Sequence, residues 1–270
     1  MPEGHTIHRL ARDHARWFAG GEVRVASPQG RFASGAAVLD GAELEGVDAW
    51  GKHLLYRFGA DRTLHVHLGL FGRFRMRRRP AHPPRSPPRM VLANEAREVR
   101  LSGPTACELL TDDQVAALEA RLGPDPLRAD GTAEAFLDRV AGRRKAAGAV
   151  LLDQSILAGI GNVYRAELLF LEGLHPEVPA STVPPEAWRR IWARAAVLLD
   201  LGVRLNRIVT VDPAERGKRH ARELRRGERH YVYKRTSCLR CGARIVRTEV
   251  ANRTSHHCPG CQPGVVPSGP

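Results

Sequence analysis

The spacing of apolar positions changes near residue 20 and again near residue 111. Ile7, Leu10, Ala11, Trp17 and Phe18 recur at close to helical spacing, and Gly20-Gly21 ends the run, so the chain should open on an amphipathic helix. The apolar runs that follow are short and parted by Gly, Asp or Pro. They are Glu22–Ala26, Ala36–Leu39, Ala42–Trp50, Leu54–Phe58, Leu64–Leu68, Phe71–Met76, Met90–Ala93, Glu98–Leu101 and Cys107–Leu110. Short strands at that spacing predict a sandwich or barrel. Residues 80–89, PAHPPRSPPR, cannot form a central strand and are expected to be a basic, mobile hairpin loop.

From Thr111 the pattern is helical. Val115, Leu118 and Leu122 form one stripe, with Thr111 or Asp112 as its cap, and Gly123-Pro124-Asp125-Pro126 breaks it. Further helices are predicted over Thr132–Val140, Ala147–Ile156, Asn162–Leu171 and Pro185–Leu201. Residues 204–235 are strongly basic and poorly periodic. A cysteine-bearing hairpin and a loose Pro/Gly tail complete the chain. The expected class is therefore multidomain α+β, with a β domain over 1–110, a helical domain over 111–230 and a cysteine module over 231–265.

Composition narrows the function. The 270 residues suffice for two cored domains, and 43% hydrophobic content excludes a disordered chain. There are 42 Lys and Arg against 29 Asp and Glu, a net charge of +13, with sequence pI near 10.5. That balance favours a polyanionic partner, and its Arg-rich make-up suits phosphate. No apolar run is long enough to span a bilayer, and no secretory leader or lipidation signal is visible, so a cytoplasmic protein without a membrane partner is expected.

Four of the five cysteines form two C-x2-C knuckles, Cys238/Cys241 and Cys258/Cys261, separated by 16 residues. This spacing predicts one tetrahedral zinc held by four thiolates. With no position left open for water, the zinc is structural. Cys107 stands apart in an apolar run and should be a buried thiol. Between the knuckles, Arg253 lies near a predicted hairpin turn, as a solvated Arg or, on a zinc-stiffened hairpin, a phosphate contact.

Gly159-Ile160-Gly161-Asn162 joins two apolar helices. It is either a plain cap-to-cap turn or an anion site at a helix N-terminus, and Lys145 adds positive charge nearby in sequence. Lys52 stands at the mouth of an apolar strand. His65 and His67 share one sheet face, and metal ligation is discounted because no third ligand is identifiable. In Leu68-Gly69-Leu70-Phe71-Gly72, the flanking glycines allow Leu70 and Phe71 to sit on a turn tip, where apolar wedges can enter a base stack, or in the core.

Met1-Pro2-Glu3 reads by itself as an ordinary helix start. If Met1 is removed, Pro2 exposes a secondary amine beside a helix dipole that favours its uncharged form. Such an amine can attack a sugar carbon, with Glu3 shuttling protons.

These pieces occur in one order. Pro2-Glu3-Gly4, Gly51-Lys52, the His67–Gly72 stretch, Gly159-Ile160-Gly161-Asn162 and the four-cysteine hairpin with Arg253 together resemble the bacterial formamidopyrimidine-DNA glycosylase / endonuclease VIII family, from end to end. Pro2-Glu3-Gly4-His5-Thr6 is most similar to endonuclease VIII, particularly its actinobacterial branches.

The resemblance implies an N-terminal β-sandwich, a helix–two-turns–helix domain and a zinc finger, with damaged double-stranded DNA in the basic cleft between the domains. It implies a monomer at the nucleoid, acting in base-excision repair as a glycosylase and AP lyase on oxidised pyrimidines, with β,δ-elimination. Pro2 would be the nucleophile on C1′. Glu3 would protonate the opening sugar, and Lys52 would bind a phosphate and donate a proton. His67, Asn162 and Arg253 would grip phosphates, and Lys145 would add charge beside them. Leu70 and Phe71 would fill the void left by the everted base. The family commonly carries a second acid three residues after Glu3, where this chain has Thr6. Two alternatives remain: an oxidised-purine glycosylase, and a non-catalytic zinc-stabilised lesion-binding protein.

Overall fold

The computed structural model describes residues 2–83 and 86–264. Met1, Pro84-Arg85 of the Pro-rich loop and the tail from residue 265 lie outside the described residues, as do the expectations that fall on them. The chain divides into two compact units, 1–121 and 122–270.

The first unit opens on α1 (Gly4–Phe18). Ile7, Ala11, His14 and Phe18, one helical face, are buried against β4 (Gly46–Trp50) and β5 (His53–Arg57). Burying each large apolar side chain contributes about 1.5–3 kcal/mol. His14 sits on that face because its Nδ1 lies 2.6 Å from the Tyr56 hydroxyl; burial lowers its pKa to about 3, so it is a neutral core residue.

Two four-stranded antiparallel sheets face each other. One has the order β10-β6-β5-β4, with β6 (Thr63–His67) and β10 (Ala106–Leu110). The other has the order β2-β8-β9-β7, from β2 (Arg24–Ala26), β8 (Met90–Ala93), β9 (Arg97–Ser102) and β7 (Arg73–Arg78). The short pair β1 (Gly21–Glu22) and β3 (Glu43–Leu44) flanks them. Alternate residues meet in one core: Leu54, Tyr56, Leu64, Val66 and Cys107 from the first sheet, and Val25, Met90, Leu92, Val99 and Leu101 from the second. A sandwich, not a barrel, is formed. Burial pushes the Cys107 thiol up to about 12, as an inert core residue requires.

In the first unit, two elements differ in kind or in placement from the sequence reading. Ala36–Leu39, expected as a strand, lies in the helix α2 (Ala33–Leu39), because a short apolar run also fits a buried helix whose Ala36 and Leu39 face the core. The helix α3 (Asp112–Ala120) carries the capping box Thr111/Gln114, but Val115 and Leu118 pack on Leu55 and Leu110. It therefore belongs to the first unit instead of opening the second.

The second unit contains α4 (Ala133–Val140), α5 (Ala147–Val150), α6 (Asn162–Leu171), α7 (Pro185–Leu205) and the hairpin of β11 (Val246–Val250) with β12 (Arg253–His257). The helix expected over Ala147–Ile156 stops at Val150. Asp153 accepts from the Ser155 amide and hydroxyl. Gln154 donates to the Leu152 and Ile160 carbonyls and accepts from the Gly159 amide. These side chains draw the backbone into turns between α5 and α6, in competition with the helix ladder. The long basic segment contains three short 3-10 turns.

Candidate functional site

In the first unit, Glu3 is the N-cap of α1. It is fully buried, and its carbonyl receives the Thr6 amide at 2.8 Å. Pro2 is half-buried and immediately precedes that cap, so its nitrogen lies just before the positive end of the helix, outside the helical first turn. Thr6, in the place of the second acid, is within 3.2 Å of His5 Nε2, and burial foremost lowers the pKa of His5 to about 4. From Pro2 onward the chain therefore enters α1 directly through a buried acid.

Lys52 is half-buried on the two-residue tip joining β4 to β5, closed by the Trp50–His53 pair. Gly51 supplies the left-handed conformation the tip needs, with φ +58°. His67 ends β6 opposite His53. Burial, then the charges of His65 and Lys52, lower its pKa. Lys52 and His67 thus share one electrostatic neighbourhood at the same end of the sheet.

Leu70 and Phe71 lie on a turn tip, at 48% and 81% exposure. Gly69, with φ +64°, and Gly72, whose Cβ would fall 2.2 Å from the Leu68 carbonyl oxygen, make the turn possible. Two large apolar side chains are thus held out to solvent by the flanking glycines.

In the second unit, Asn162 opens α6 and donates from Nδ2 to the Thr254 carbonyl at 3.0 Å. Its buried Oδ1 has no hydrogen-bond partner among the described residues. Arg253 stands first in β12, after a two-residue turn in which Ala251 and Asn252 both take positive φ, 54° and 56°. Asn162 and Arg253 line one recess of about 670 Å³ with Tyr233, Lys234, Arg247, Asn252, Thr254 and His256. Three cations and no carboxylate line it, which suits an anion. Lys145 is exposed just before α5 and is not among the lining residues.

Sequence reasoning missed what holds this recess. Arg165 is fully buried and donates to the carbonyls of Val250, at 3.0 Å, and Thr254, at 2.9 Å, which pins the hairpin to α6. Glu167, also fully buried, accepts from the Thr210 hydroxyl and the amides of Tyr231, Val232 and Tyr233 at 2.5–2.9 Å. A charged side chain inside an otherwise apolar helix was the available signal.

The thiols of Cys238, Cys241, Cys258 and Cys261 lie within 4.8 Å of one another. The Cys241–Cys258 and Cys238–Cys261 sulfurs are 3.4 and 4.0 Å apart. A tetrahedral zinc with bonds near 2.3 Å needs sulfurs about 3.8 Å apart, so the donor set and its spacing fit that ion.

The two units define a DNA glycosylase architecture. Residues 1–113 match the formamidopyrimidine-DNA glycosylase N-terminal domain, and residues 122–213 match its H2TH domain. The chain belongs to the formamidopyrimidine-DNA glycosylase / endonuclease VIII family, and it is a DNA repair glycosylase with AP lyase activity. Among its relatives is "Endonuclease 8 1" of Mycobacterium tuberculosis, 41% identical over 268 residues that cover 97% of this chain and all of the relative. Another is the formamidopyrimidine-DNA glycosylase of Chloroflexus aurantiacus, 33% identical over 84% of this chain and 82% of the relative. The fold is shared with a complex between the Lactococcus lactis Fpg and an abasic site containing DNA, with TM-score 0.79 and 23% identity over 97% of this chain and all of that one. Among the described residues, no helix is long and apolar enough to cross a membrane.

Proposed function

We propose that the protein excises oxidised pyrimidines from double-stranded DNA through an imine on Pro2 and then cuts the strand by β,δ-elimination. The observation that carries this reading is the ordered chain start, where Pro2 directly precedes a fully buried Glu3 at the positive end of α1. With Met1 removed, the Pro2 amine attacks C1′ of the flipped nucleotide. The C1′–N bond to the base breaks, and Glu3 protonates the ring oxygen as the sugar opens. The resulting imine acidifies the C2′ hydrogens, so loss of one expels the 3′ phosphate. A second elimination releases the 5′ phosphate.

Lys52 and His67 bind phosphate at the lesion, with Lys52 as proton donor, while Leu70 and Phe71 fill the vacated stack. Asn162 and Arg253 hold the strand at the recess beside α6, and Lys145 adds charge to the same strand. One zinc on Cys238, Cys241, Cys258 and Cys261 stiffens the hairpin and takes no part in the chemistry. The protein acts as a monomer in the cytoplasm, at the nucleoid. The catalytic sandwich with α3 packed on it runs over 1–121, the helical domain over 122–230 and the zinc finger over 231–265.

A panel of duplexes carrying one oxidised pyrimidine or one oxidised purine, read as strand cleavage, tests the lesion class. Faster cutting of pyrimidine lesions is expected. Faster cutting of the purine lesions reverses the assignment, and lesion binding with no cleavage by protein lacking Met1 leaves only a non-catalytic binder. Arg253→Ala should raise the Kd for lesion DNA by the equivalent of about 1–3 kcal/mol and reduce the salt dependence by about one counterion. An unchanged Kd at fixed salt counts against its phosphate contact.

A further inference from the structure

The outer face of the first sheet carries a hydrogen-bonded chain for which the proposed reaction has no use so far. His53 on β5, His65 on β6 and Glu108 on β10 all point away from the core formed by Leu54, Tyr56, Leu64, Val66 and Cys107. His65 is 5% exposed and has both ring nitrogens engaged, Nδ1 with Glu108 Oε1 at 2.9 Å and Nε2 with His53 Nδ1 at 2.9 Å. The His53 and His65 rings stack at 5.1 Å, and the His67 ring lies 5.0 Å from that of His53. The three histidines and Glu108 line a pocket of about 590 Å³ with Thr105 and Arg121.

This network dictates where protons sit. A carboxylate only accepts, so His65 Nδ1 donates to Glu108. In the uncharged pair His65 presents a lone pair at Nε2, and His53 donates to it from Nδ1. Neutral His53 in turn presents a lone pair at its own Nε2, which cannot donate to a phosphate oxygen. The ring can grip a phosphate at Nε2 only once the His53–His65 pair has taken up one proton, whose positive charge Glu108 stabilises through His65.

We infer that His53 is a third phosphate-binding residue beside Lys52 and His67, that it takes up one proton when the DNA backbone docks, and that His65 and Glu108 are the positioning residues of that uptake. The inference rests on the reading that Lys52 and His67 hold the lesion phosphate. The groups facing His53 are Lys52 at the hairpin tip, His65 and His67 on β6, Glu108 on β10 and Arg121 after α3. In the free protein, burial first and then His65, His67, Arg121 and Lys52 hold the His53 pKa down at about 3. A phosphate placed among these cations reverses that balance.

The sign follows from linkage. A group whose pKa is raised by binding makes binding tighter as pH falls. Affinity for DNA therefore gains up to tenfold per pH unit on descending below the pKa of the bound complex, and the gain ends near pH 3, where free His53 is itself protonated.

The test is isothermal titration of the zinc-loaded protein with a duplex carrying one tetrahydrofuran abasic-site analogue. Titrations in buffers of different ionisation enthalpy give proton uptake, and Kd is followed from pH 5.5 to 8. Glu108→Gln at an exposed position, and His53→Gln, should each bind about one proton fewer than the wild type and flatten the pH dependence by up to tenfold per unit. The same proton uptake in both variants as in the wild type overturns the inference. So does a loss of cleavage rate with proton uptake unchanged, since that outcome makes His53 a base toward the sugar. Failure of the underlying reading is separate: it is seen as Lys52→Ala and His67→Ala variants that bind the same duplex with the wild-type Kd.

Discussion

Protein that retains Met1 should form no borohydride-trapped complex with abasic-site DNA, and trapping should appear when Met1 is removed. The Met1–Pro2 amide nitrogen has no lone pair to donate, so the imine cannot form while Met1 is present. Strand cleavage should fall by about 10⁴-fold or more, as when a nucleophile is deleted from other covalent enzymes. Affinity for a tetrahydrofuran duplex should change little, because the phosphate-binding residues are untouched. Intact mass measured beside the trapping assay checks the assignment. Equal trapping by protein shown to carry Met1 would place the nucleophile elsewhere, with Lys52 the first residue to test. Glu3 should behave differently. It is buried at the cap of α1, so Glu3→Gln keeps the shape of the chain start while removing the acid that opens the sugar. Base excision should fall more than cleavage of a preformed abasic site, where the ring is already partly open.

Removing the metal, by chelation or by Cys258→Ser, should unfold the β11–β12 hairpin and lower lesion-DNA affinity by about 100-fold, the equivalent of losing two phosphate contacts. The reason lies in what holds the hairpin in place. Two strands in isolation are marginal in water. Here the pair is tied to α6 through Arg165, which donates to Val250 and Thr254, and through Asn162, which also donates to Thr254. Those bonds reach carbonyls whose positions depend on the turn at Ala251-Asn252 and on the knuckles that close the hairpin base. Loss of the metal therefore costs the recess both Arg253 and the hold on Asn162. Circular dichroism, Kd and bound zinc should change together, with recovery on adding zinc back. Full affinity in metal-free protein would show that the hairpin is not needed for binding.

Legibility of the site in the sequence depended on whether a residue's role was local. The cysteine knuckles announce themselves by spacing, and the structure brings the four sulfurs together. Leu70 and Phe71 were readable as either core or tip, because glycines at 69 and 72 permit a turn without requiring it. Their exposure decides for the tip. Ala36–Leu39 reads as a strand although it is helical, because four apolar residues carry no usable period. The end of α5 at Val150 escaped because Asp153 and Gln154 act through side-chain bonds to backbone several residues away.

By itself, the sequence determined the α1 face, the alternation that builds the sandwich core and the four-cysteine donor set, and its motifs singled out Pro2, Glu3, Lys52, Asn162 and Arg253 as candidates. Each of these follows from short-range pattern, spacing or motif. Only the tertiary structure decided that Arg165 and Glu167 are buried struts, that α3 packs on the first unit, and that Asn162 and Arg253 share one cationic recess. It alone joined His53, His65 and Glu108 into one chain. Strand pairing sets residues 53, 65 and 108 side by side, and a register shift of a single residue would turn these side chains to the opposite face. Such contacts depend on register and packing between distant segments, which no local pattern encodes.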